Sequence, residues 1–80
     1  MNYRSFVSTE FDGGNPQFKV NRDNEELSRL FGWRFDTEEE CILAISLWLN
    51  TPEPDRDINH FRHTFKNVLK MIGSSSRWTL

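Results

Sequence analysis

The chain has 80 residues, 28% of them charged, and a net charge of −2. That balance gives no overall attraction to nucleic acid, and a single cysteine, Cys41, excludes an internal disulfide and a thiolate metal cluster. Seven Phe, three Trp and one Tyr supply the large side chains that a core needs in a domain burying only roughly 60–65% of its unfolded surface.

The N-terminal Met1-Asn2-Tyr3-Arg4 is followed by no apolar segment of signal-peptide type. The longest unbroken apolar run, Cys41 to Ile45, falls far short of the roughly 20 residues of a membrane span. These features set the expectation of a cytoplasmic protein without membrane partners.

Tyr3 to Phe11 places Tyr3, Val7 and Phe11 on one face, with Phe6 breaking the alternation, and Gln17 to Arg22 alternates Phe18 and Val20 with Lys19 and Asn21. Asp12-Gly13-Gly14-Asn15-Pro16 between them is rich in turn formers, so residues 3–22 are expected to form an antiparallel hairpin. A lone hairpin is marginal in water and must pack one face on helices. Asp23, with Glu26 three residues on, is expected to cap a short helix over 24–31 that buries Leu27, Leu30 and Phe31 and ends at Gly32. Trp33-Arg34-Phe35 is too short to type and reads as a loop or a brief third strand.

Thr37 with Glu40 forms a capping box, and Glu38 and Glu39 add negative charge where the helix dipole favours it. The helix it opens, 38–49, has Cys41, Ile42, Ala44, Ile45, Leu47, Trp48 and Leu49 over an arc of roughly 220° at 100° per residue. Such a helix is expected to be central, with the hairpin on one flank and the last helix on the other. The same apolar arc implies weak homodimerisation through exposed Leu43 and Trp48.

Pro52 and Pro54 break this helix. Asp55 or Asp57 is expected to cap a last helix over 57–72, closed by Gly73. Its stripe of Ile58, Phe61, Phe65, Val68, Leu69 and Ile72 follows helical spacing. Asn59, Arg62, His63, Lys66 and Lys70 share a neighbouring face that contains no acid. Ser74 to Ser76 lead to Arg77-Trp78-Thr79-Leu80, a tail expected to be flexible. The whole reads as a single α+β domain of order ββααα.

Charge is segregated along the chain. Residues 23–54 hold eight acids against two bases, whereas residues 55–80 hold five bases against two acids. No catalytic set accompanies this polarity. His60 and His63 lack the spacing of a zinc-protease helix and a third strong ligand, so no metal and no cofactor are expected. Cys41 lies on the apolar arc beside three glutamates, the setting of a buried structural thiol rather than a nucleophile. Gly13-Gly14 does not open a helix and is no phosphate-binding loop. A helix-turn-helix is disfavoured because the last two helices are joined by seven residues with two prolines, against a turn of about three or four.

The expected function is therefore that of a non-enzymatic protein-interaction module, a small regulator or inhibitor of the kind phages and mobile elements encode. Its candidate contacts are the basic face Arg62, His63, Lys66 and Lys70, the tail residues Arg77 and Trp78, and the acidic patch Glu38 and Glu39. The alternative is a nucleic-acid-binding regulator that uses the same basic face.

Overall fold

The computed structural model describes residues 3–73 and has the ββααα order. A 3-10 helix, Tyr3–Phe6, leads into β1 (Val7–Asp12) and β2 (Asn15–Val20). A second 3-10 helix, Glu25–Leu30, precedes α1 (Glu38–Asn50), and a third, Glu53–Asp55, leads into α2 (Ile58–Met71).

The strands pair antiparallel from Val7 opposite Val20 to Asp12 opposite Asn15, across a two-residue turn. Gly13 and Gly14 take φ of +59° and +90°, the positive values a twisted two-residue hairpin turn demands. The first strand starts later than its apolar spacing suggests. Tyr3–Phe6 coils instead, because the Phe6 carbonyl accepts from the Asn21 N–H at 2.8 Å and the Asn21 amide donates to the Ser5 carbonyl at 2.7 Å. Phe11, expected on the buried face, is 70% exposed because it lies at the hairpin tip, opposite Pro16 and next to the turn. Phe35 supplies a one-residue third strand, exchanging hydrogen bonds of 3.0 and 2.8 Å with Phe18.

The segment expected as a helix over 24–31 is a 3-10 helix, and Asn24 caps it rather than Asp23. The Asn24 side chain accepts from the Glu26 N–H at 2.9 Å, while the Asp23 N–H is engaged by Asn21. With three residues per turn, Leu27 and Leu30 point the same way, and both are fully buried. Phe31, beyond the last turn, is half-buried.

The Thr37 hydroxyl accepts from the Glu40 N–H at 3.2 Å and so starts α1 where the capping box places it. Of the thirteen residues of α1, Glu39 and Asn50 are exposed and the rest are buried or half-buried. Trp48, expected at the surface, is 3% exposed, and its indole N–H donates to the Glu26 carbonyl at 2.8 Å. Leu43 is half-buried against the core. The apolar arc expected to mediate dimerisation is thus largely used within the fold.

Arg56 seals the far end of α1. Its guanidinium donates to the Thr51 carbonyl at 2.9 Å and the Leu49 carbonyl at 3.3 Å, and it lies 5.7 Å from the Trp48 ring centre. A cation at carbonyls that lack helical partners is favoured by both hydrogen bonding and the helix dipole. Asp57, not Asp55, caps α2, accepting from the Asn59 N–H at 3.0 Å.

One core unites these elements: Val20, Leu27, Leu30, Trp33, Phe35, Cys41, Ala44, Ile45, Trp48, Phe61, Phe65 and Leu69. Rings carry α2 into it. Phe61 meets Trp48 edge-on at 5.1 Å and Trp33 at 5.8 Å, and Phe65 meets Phe35 edge-on at 5.8 Å. Tilted and edge-on arrangements of this kind contribute beyond the area they bury. The stripe fails only at its end, where Ile72 is 62% exposed, past the last helical residue.

Candidate interaction surface

The buried side of α2 is defined by Phe61, Phe65 and Leu69, spaced four apart, with Ile58 and Val68 half-buried beside them. At 100° per residue, Lys66, Asn59, Lys70 and His63 then fall within an arc of roughly 60° on the outer side. All four are exposed. Arg62 stands nearer the buried edge. It is half-buried, and its Nε is covered and makes no hydrogen bond among the described residues. The outward part of the basic face is therefore His63, Lys66 and Lys70, with Arg62 forming its inner margin.

No acid occurs anywhere in Ile58–Met71, so the charge that α2 itself carries is of one sign. Lys70 sits in the last turn, where the helix dipole offsets part of the repulsion between neighbouring cations. Met71 and Ile72, at the end of the same helix, are 83% and 62% exposed.

The glutamates at the start of α1 do not form one outward patch. Glu38 is half-buried and paired with Arg4, Glu39 is exposed, and Glu40 is buried at 7%. Consecutive helical positions point about 100° apart, which separates the three. Arg77 and Trp78 lie outside the described residues.

Cys41 is fully buried, and its thiol is pushed up to about 12, chiefly by burial and secondly by the Glu38 charge. A nucleophilic thiol needs the opposite environment. His60 and His63 are both exposed, and among the described residues no group of three His, Cys, Asp or Glu side chains is placed to hold a metal ion. Among the described residues, no helix is long and apolar enough to cross a membrane. Comparison with known proteins finds no matching family model, no matching curated protein and no matching solved structure.

Proposed function

We propose that this chain is a non-enzymatic protein-interaction module, a small regulator or inhibitor that docks the outer face of α2 on an acidic protein surface. The observation that supports this reading is the division of labour on α2. Phe61, Phe65 and Leu69 are buried in the chain's own core, while His63, Lys66 and Lys70 stand exposed on a helix that carries no acid. Exposed Met71 and Ile72 add apolar area beside the cations, the combination of apolar contact and charged rim that interfaces use. Charge of one sign favours fast association and partner choice over raw affinity.

The test is a charge reversal, Lys66→Glu with Lys70→Glu, that leaves half-buried Arg62 in place. Partner capture from host extract should fall in the variant, and high salt should reproduce that fall in the wild type. DNA and RNA titrations run in parallel. A steep dependence of nucleic-acid affinity on salt, shrinking by about one unit of log–log slope per cation lost, would favour the nucleic-acid reading instead. If neither kind of binding responds, the face is only solvated and the proposal is wrong.

A further inference from the structure

A second basic site lies away from α2, in a cleft of about 300 Å³ between the end of β2 and the segment after the second 3-10 helix. It is lined by Ser8, Lys19, Val20, Asn21, Arg22, Phe31, Gly32 and Arg34, so three linings are cations and none is an acid. In a chain of net charge −2, that concentration needs a reason.

Backbone pairing explains how the cations meet. Ser8 is opposite Lys19 in the hairpin. The antiparallel bridge between Phe18 and Phe35, continued by one residue, sets Arg34 opposite Lys19 on its other side. Ser8, Lys19 and Arg34 thus form a row across three segments, and Arg22 follows just past the end of β2.

The cations are only partly compensated. Lys19 pairs with Glu10 at 3.1 Å, and that contact, with a smaller contribution from Arg34, holds the Glu10 carboxyl below its ordinary range. Arg34 donates to a neutral acceptor, the Gln17 side-chain oxygen, at 3.0 Å. Arg22 lies over the Phe31 ring at 5.8 Å. Neither guanidinium forms an ion pair among the described residues. Like charges held together repel, and an anion between them would remove that cost.

We propose that this cleft binds a small phosphomonoester. Two guanidiniums and an ammonium suit a dianionic phosphate, because guanidinium presents paired N–H donors to its oxygens. The half-buried Phe31 ring gives an apolar wall for the organic part, and the volume is at the small end of ligand pockets.

The experiment titrates the whole chain with inorganic phosphate and with phenyl phosphate at fixed ionic strength, by calorimetry and by amide chemical shifts. The wild type is compared with Arg22→Gln/Arg34→Gln and with Lys66→Glu/Lys70→Glu, each checked for an unchanged circular dichroism spectrum. Phenyl phosphate should bind more tightly than phosphate, shift the amides of residues 19–22 and 31–34, and bind about tenfold or more weakly to the arginine variant. The α2 variant should bind as the wild type does, which separates this site from the protein-docking face. Absence of saturable binding, or equal affinity in the arginine variant, would overturn the proposal. Equal affinity for the two probes would overturn the phosphomonoester assignment, leaving a simple anion site.

Discussion

The two long helices, α1 of thirteen residues and α2 of fourteen, meet water in opposite ways. On α1, the hairpin, the second 3-10 helix and the loop carrying Arg56 leave Glu39 and Asn50 as the exposed residues. On α2, one narrow stripe enters the core and the outer half carries polar and cationic side chains. A substitution on α1 therefore reports on folding almost wherever it is placed. On the outer half of α2, exposed charges can be altered without touching the core, and the proposed docking face lies there.

The strongest challenge to this contrast is Phe65→Ala. Phe65 is fully buried, and α2 reaches the core through few rings, so a loss of about 3–5 kcal/mol is expected in denaturant unfolding. An unchanged midpoint would mean that α2 does not depend on its stripe. Next comes Arg56→Ala, which strips two carbonyls at the end of α1 of a charged donor that is 13% exposed. About 2 kcal/mol should be lost, with Arg56→Lys restoring only part because an ammonium cannot reproduce the fork. Equal stability of all three proteins would show that water seals α1 as well as Arg56 does.

The third effect depends on pH. The Cys41 thiol is raised to about 12 in the fold, from an ordinary value near 9, so the unfolded chain loses this proton first. Stability from this group is complete below pH 9 and declines as pH rises toward 12, by about 1.4 kcal/mol per pH unit at most. Cys41→Ala should lack this part of the decline when its alkaline unfolding curve is compared with that of the wild type. Coincident pH dependences would place the thiol in contact with water.

Smaller still is Thr37→Ala, expected to cost about 1 kcal/mol through the lost bond to the Glu40 N–H, while Thr37→Asp is nearly neutral. Last is Lys66→Glu with Lys70→Glu, where each change should move the thermal midpoint by no more than about half a kcal/mol in equivalent stability. A large loss there would tie the outer face of α2 to the fold and end the contrast.

What was legible in the chain follows from the range of the forces involved. The stripe of α2 from Ile58 to Leu69, the cap at Thr37 and the turn at Gly13-Gly14 are set by neighbours within a few residues, and each stands where its spacing places it. The coiling of Tyr3–Phe6 depends on Asn21, and the short strand at Phe35 depends on Phe18. Local periodicity contains neither partner. Arg56 was readable only as one charge among several, since its role requires knowing that Trp48 and Glu26 lie beside it. The basic face of α2 was visible because its members share a helix. Lys19, Arg22 and Arg34 belong to separate segments, and only the strand register gathers them. Half-burial of Arg62 was hidden for a related reason: a helical wheel gives angles, whereas the depth of the core decides how far each flank is covered.

Cys41 makes the opening of this molecule measurable in time. A disulfide reagent in excess reacts with a thiolate that reaches solvent, so its rate of attack on a fully buried thiol counts excursions from the closed state. Amide exchange on α2 counts excursions of another element. If α2 detaches by itself, its amides will exchange through a low-energy opening while the thiol stays protected. If both report the same free energy, the ring contacts bind the two helices into one cooperative unit, and any partner that grips α2 also holds α1 shut.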